Sequence, residues 1–421
     1  GPNRIQMTIL QKGSVLMVST VIWSEIFVCL SSPSSPTVRT KNGRVIGTTT
    51  TTRMGRRVDA FRGIPFAKPP LGSLRFQDPE PAEPINGTFH ATEDGPECVQ
   101  RANNDLSQPL QVTGDEDCLR LNVYRPSGEN DDGDGGRTYS NLPVLIFIHG
   151  GGWTTGSDQM DLYGPHYLLD SKYDFILVIF NYRLDVFGFY CSGDKEAPGN
   201  FGLKDQVLAL KWVKLNIRDY GGDPYNITIF GESVGGVSVH TLFFAKSAQG
   251  LFQKGISISG TVAMPVAHLP AAFVNSATER LGERFNCPLE NSSALLACMQ
   301  EVPAHELIEQ QLNTSPVSSE TGRVCAHFQT EKKNCGRGVR SQRNLSILGG
   351  AECSDKNRLF SIGLNGGNPV LPNCWIRLWK YGSNTRNSEL LSPQTDVRAR
   401  RPVTTASRTR SFSSVTKNKQ L

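Results

Sequence analysis

Asn226-Ile-Thr-Ile-Phe-Gly-Glu-Ser-Val-Gly-Gly236 opens with five uncharged residues, four of them β-branched or aromatic, and passes without a linker into glycine, serine and glycine. A helical pattern follows at once. Strand, sharp turn and helix in that order place Ser233 at the apex of a nucleophile elbow, its hydroxyl held clear of the sheet by a strained backbone. A side chain at Gly231 or Gly235 would collide across so tight a turn, and the helix beyond Ser233 points its free N–H groups at the reacting centre. The competing reading is a plain glycine-rich turn, since five loosely specified positions recur by chance. The strand before and the helix after weigh against it.

Upstream, Leu142–Ile148 is a second buried strand, and it runs into His149-Gly150-Gly151-Gly152-Trp153. Three consecutive glycines leave backbone amides bare. Fixed N–H donors facing the oxygen of a tetrahedral intermediate are typically worth about 3–4 kcal/mol each. A flexible loop or an anion-binding nest is the alternative.

Around these two motifs the chain resembles the type-B carboxylesterases, the family that also holds the cholinesterases, from about Thr37 to Gln311. The motifs that carry the resemblance are AFRGIPFAKPPLGSLRF (Ala60 to Phe76), EDCLRLNVY (Glu116 to Tyr124), HGGGW, NYRLDVFGF (Asn181 to Phe189), GNFGLKDQVLALKWVKLNI (Gly199 to Ile217), GGDPYNITIFGESVGG and NCPLENSSALLACM (Asn286 to Met299). The chain is most similar to insect-type secreted members. The resemblance implies an α/β-hydrolase fold with a mostly parallel central sheet, helices on both faces and its C-terminal part missing. It makes Ser233 the acyl-forming nucleophile, Glu232 the acid beside it, and Gly151, Gly152 and Val234 the oxyanion hole. The substrate is then a small-molecule carboxylic ester, and no cofactor is needed. Alanine usually stands at Val234, and since the donor there is the backbone N–H, valine keeps it. Glu232 also argues against a juvenile-hormone-esterase type, which usually has glutamine.

The resemblance further pairs Cys98 with Cys118 and Cys287 with Cys298, four thiols that would be free in a cytosolic enzyme. It assigns no position to the triad acid or histidine. Only 188 residues follow Ser233, and the family's histidine lies farther on. His240, His268, His305 and His327 sit in no motif that places them. Two other readings remain: a non-catalytic cholinesterase-like binding or adhesion protein, and a non-functional truncated product. Retention of the serine and all three glycines weighs against the binding protein.

The 421 residues carry 44 Lys+Arg and 39 Asp+Glu, unevenly spread. Gly322–Leu421 holds 18 of the basic and 5 of the acidic residues, so an acidic body is followed by a basic tail without α/β periodicity. No basic recognition helix or stacking array interrupts the body, so nucleic acid is not the expected partner. Residues 1–32 resemble a secretory signal, with an apolar run Val15–Leu30 interrupted by Glu25; an unprocessed extension is the alternative. No apolar run is long enough to span a membrane. Residues 37–311 form the expected esterase domain and 312–421 an unmatched, disordered tail. Asn86, Asn291 and Asn313 head glycosylation sequons, as does Asn226, which lies at a strand start where modification is hindered. Cysteines 325, 335, 353 and 374 fit no zinc spacing, and no metal site is expected.

Val144–Ile148, Phe175–Asn181, Ile227–Phe230 and Gly255–Ser259 read as parallel strands separated by helices, the clearest being Asp205–Asn216. Gly255–Ser259 is the last strand, with an open edge. Val38–Ile46 and Arg57–Phe61 read as opening strands around a threonine turn, Thr48–Thr52, and Ala60–Pro81 as a proline-rich rigid loop. Trp153, Tyr182, Phe187 and Phe189 are candidate pocket aromatics, the last three favouring packing. Asp185 reads as a structural acid pairing with Arg183 or a neighbouring backbone group, and Cys191 as a buried thiol.

Overall fold

The computed structural model describes residues 35–41, 43–102, 111–128, 139–264, 268–269, 271–314, 324–325 and 358–362. Eight strands form the main sheet: β1 (Thr48–Thr51), β2 (Arg57–Pro65), β3 (Arg120–Pro126), β4 (Leu142–Ile148), β5 (Ile176–Phe180), β6 (Gly222–Glu232), β7 (Lys254–Ile258) and β8 (Arg358–Ile362). Their order across the sheet is β8-β7-β6-β4-β5-β3-β2-β1. The pairings from β8 to β5 are parallel and those from β5 to β1 antiparallel. β4 and β6, the strands leading to HGGGW and to Ser233, are direct neighbours, with Ile148 opposite Gly231. That register brings the two glycine motifs together.

Among the helices are α1 (Asp185–Phe189), α2 (Phe201–Asn216), α3 (Val234–Phe244), α4 (Ala271–Arg284), α5 (Ser292–Glu301) and α6 (Ala304–Thr314). Val144, Ile146, Ile148, Ile227 and Ile229 are fully buried on one sheet face. α3 lies on that face, since a Cβ on Gly255 would meet Phe243 and Val239. On the other face, Leu145, Phe147, Phe230, Ile256 and Ile258 are only half-buried. A second core joins α4–α6 to Phe76, Phe187 and Tyr190. Arg75 anchors it from below: its Nε donates to Glu116 Oε1 at 2.7 Å and its Nη1 to Met299 O at 3.2 Å.

Three sequence expectations are corrected. Thr48–Thr51 is not a turn but edge strand β1, antiparallel to β2, because four consecutive β-branched residues favour the pleated conformation over any turn. β2 continues through Pro65, so the irregular segment begins only at Phe66. The edge of β7 is not open: β8 pairs along its whole length, Lys254 opposite Arg358 to Ile258 opposite Ile362. Leu359, Phe360 and Ile362 supply the apolar character that makes this stretch of the tail a strand. Residues 1–32 and nearly all of the tail lie outside the described residues.

Candidate active site

Ser233 sits between the last residue of β6 and the first of α3, with φ 57° and ψ −126°. A non-glycine residue there is strained and persists only where its surroundings over-determine it. Here they do. Ser233 N–H donates to Ile258 O at 2.9 Å, and Ser233 O accepts from Val237 N–H at 3.0 Å. A Cβ on Gly231 would lie 2.5 Å from Gly235 C, and one on Gly235 would lie 2.2 Å from Ile148 O. Gly260, which the sequence reading did not single out, is tighter still: its Cβ would fall 1.9 Å from Ser233 O. The signal was a glycine just beyond the strand beside the elbow.

The HGGGW loop abuts this turn, since a Cβ on Gly150 would lie 2.8 Å from Glu232 O. Gly151 and Gly152 have φ 101° and 68°, conformations that any side chain would disfavour. Gly151 O accepts the N–H groups of Thr154 and Thr155, each at 3.0 Å, while neither the Gly151 nor the Gly152 N–H is taken up by another described residue. Val234, first in its helix, has no intrahelical acceptor for its amide.

His149 organises the loop from its near end. Its Nδ1 lies 2.9 Å from Gly150 O, and because a carbonyl only accepts, Nδ1 carries the proton. Complete burial lowers its pKa to about 4, so the ring is neutral at neutral pH. In a planar trans peptide, fixing Gly150 C=O aims the Gly151 N–H in the opposite direction. Tyr182 stacks on the ring, centroids 4.3 Å apart, and its hydroxyl donates to His149 O at 2.8 Å.

Glu232 ends the strand at the surface, its pKa raised by partial desolvation. Ser233 Oγ makes no hydrogen bond to a described residue. His240 Nδ1 accepts from Val262 N–H at 3.4 Å and packs near Phe244; burial lowers its pKa, and seven residues of helix separate it from Ser233 by about 10 Å of rise. His305 is exposed, its Nε2 3.1 Å from Gly114 O. The side chain of His268 and all of His327 lie outside the described residues. No described histidine is bonded to the serine.

Arg183 forms a buried two-pronged pair with Asp205, Nε to Oδ2 at 2.9 Å and Nη2 to Oδ1 at 2.7 Å, while Asp185 accepts from Gln311 Nε2. Asp205 lies on α2, whose Gly202 packs against the Arg183 carbonyl. Tyr182, Phe187 and Phe189 are buried packing residues, and so is Trp153, whose indole N–H donates to Ser238. Cys191 is a buried thiol.

Disulfides join Cys98 to Cys118 and Cys287 to Cys298. Asn86 is exposed. Asn291 caps α5, its Oδ1 accepting from Ala294 N–H at 2.7 Å, and Asn313 lies in the last turn of α6. Asn226 Oδ1 accepts from Lys254 Nζ at 2.8 Å. No helix among the described residues is long and apolar enough to cross a membrane.

A model of the carboxylesterase family matches residues 34–331. Curated relatives include juvenile hormone esterase of Tribolium castaneum, 43% identical over 300 residues, which cover 71% of this chain and 49% of the relative. Esterase FE4 of Myzus persicae is 38% identical over 304 residues, 72% of this chain and 51% of the relative. Carboxylesterase 1F of Mus musculus is 38% identical over 311 residues, 70% and 53%. The chain spans about half the length of the curated relatives it matches.

Proposed function

This chain belongs to the carboxylesterase family, with its α/β-hydrolase fold, and we propose that it is built to hydrolyse small-molecule carboxylic esters through Ser233. The observation that carries the reading is the strained backbone of Ser233, φ 57°, at the strand–helix junction, held against a loop with unclaimed amides. Ser233 Oγ attacks the ester carbonyl, and the carbonyl electrons become an oxyanion facing the N–H groups of Gly151, Gly152 and Val234. Collapse of that intermediate expels the alcohol and leaves an acyl-enzyme, which water then cleaves. No cofactor enters. A base must take the Ser233 proton, and the triad acid and histidine are not assigned to residues of this chain.

Two further assignments go with this reading. The protein acts outside the cytosol, which the two disulfides and the exposed sequon asparagine Asn86 support. Residues 37–311 are the esterase unit and 312–421 a basic extension; the family match runs somewhat past that boundary, to residue 331.

A fluorophosphonate probe tests the chemistry. Labelling should map to the Ser233 peptide and disappear in Ser233→Ala. With no described histidine bonded to the serine, p-nitrophenyl ester turnover by the 421-residue chain should stay near the ~10³-fold over water that an oxyanion site retains without its base. Family-like turnover would show that a histidine of this chain completes the triad.

A further inference from the structure

Trp153, next to the glycines, holds φ +61°, a conformation disfavoured for a bulky side chain. Three contacts keep it there. The indole Nε1–H donates to Ser238 Oγ at 3.0 Å in a fully buried setting. Trp153 O accepts the Asp185 N–H at 2.7 Å, and the indole packs 5.5 Å from the Phe189 ring. Ser238 lies on α3, five residues beyond Ser233. Gln206 Nε2, on α2, reaches the same hydroxyl at 3.2 Å. One buried oxygen thus gathers the glycine loop, the helix that starts at the serine, and the helix behind both.

The close approaches between loop and elbow are steric. Gly150 packs on the Glu232 carbonyl so closely that no Cβ would fit. Such a contact sets how near the loop can come but does nothing to stop it drifting away. A hydrogen bond from the far side of the loop supplies the missing restraint, because moving the loop outward breaks it in a site where water cannot replace it.

We propose that Trp153 is a positioning residue: through its indole N–H on Ser238 it fixes the distance of the Gly151 and Gly152 amides from Ser233. This rests on the reading of Ser233 as the nucleophile. Trp153 touches no reacting atom in this role, and Ser238 acts only as its anchor.

The test uses the full chain and the variants Trp153→Phe, Ser238→Ala and their double. Trp153→Phe keeps an aromatic ring and removes the donor; Ser238→Ala removes the acceptor from the other side. Amide hydrogen exchange over residues 149–156 should speed up roughly three- to tenfold in each single variant, as expected for one buried hydrogen bond. The double variant should be no faster than the faster single, because the bond is lost only once. Exchange in β4 should not change. With a fluorophosphonate, each variant should lower the maximal rate of Ser233 labelling while leaving the half-saturating probe concentration unaltered. Unchanged exchange in both single variants, or effects that add in the double, would overturn the proposal. A wild-type chain labelled at another serine and not at Ser233 would instead overturn the nucleophile reading, and the exchange measurement would still decide whether the clamp exists.

Discussion

Asp205→Ala should destabilise the protein more than almost any other single change. Its carboxylate is fully buried and accepts three hydrogen bonds from Arg183: the backbone N–H at 2.9 Å, Nε at 2.9 Å and Nη2 at 2.7 Å. Arg183 is itself 3% exposed, and its Nη1 has no hydrogen-bond partner among the described residues. Removing the carboxylate leaves a buried guanidinium with little but the Phe201 ring, 5.3 Å away. Breaking one partner of such a pair costs about 3–5 kcal/mol. Replacing both partners, Arg183→Met with Asp205→Leu, removes the stranded charge and leaves only the Arg183 backbone N–H without its acceptor, a deficit of about 1–3 kcal/mol. The double variant should therefore be more stable than Asp205→Ala and less stable than wild type, as read from urea unfolding. A loss below about 1 kcal/mol for Asp205→Ala, or a double variant less stable than the single, would refute the reasoning.

The remaining predictions concern the disulfides, Gly260 and Asp158. Cross-linking loops with sequence separations of 20 and 11, the bridges should contribute about 3.3 and 2.8 kcal/mol in the chain-entropy model; non-reducing peptide mapping should recover both, and free thiols at these four positions would remove the compartment argument as well. Gly260→Ala should displace the Ser233 carbonyl, given a 1.9 Å approach, and abolish fluorophosphonate labelling while far-UV circular dichroism persists. Asp158 is fully buried and neither carboxylate oxygen has a hydrogen-bond partner among the described residues; burial, then the charge of Asp94, raises its pKa well above the usual 3.8. The folded state therefore holds this proton more tightly than the unfolded chain, so the associated stability is present below pH 3.8 and is lost as pH rises from there through the folded pKa. Asp158→Asn should flatten that decline in a series of melting temperatures against pH, and parallel curves for the two proteins would contradict it.

The elbow was legible because its constraints are local: a β-prone run, glycines on both sides of a serine, and a helix at once afterwards leave few other conformations. HGGGW was legible for the same reason. Partnerships made through space were not. Arg183 and Asp205 lie 22 residues apart, and nothing in the local pattern favours Asp205 over Asp185, which stands two residues from the arginine. Gly260 lies two residues beyond β7, and only the register of β6 against β7 puts it under the serine carbonyl. Thr48–Thr51 shows a different failure. The strand needs a neighbour, and β2 supplied one that composition alone did not announce. Arg358–Ile362 likewise becomes a strand because β7 offers it an unpaired edge.

The most direct test of the central claim is to incubate the full chain with a fluorophosphonate until labelling stops, then locate the adduct by peptide mass spectrometry. An adduct on the peptide containing Ser233, absent from Ser233→Ala, is the predicted result. An adduct that persists in Ser233→Ala, or one that forms at another residue while Ser233 stays unmodified, would contradict the assignment of this serine as the nucleophile.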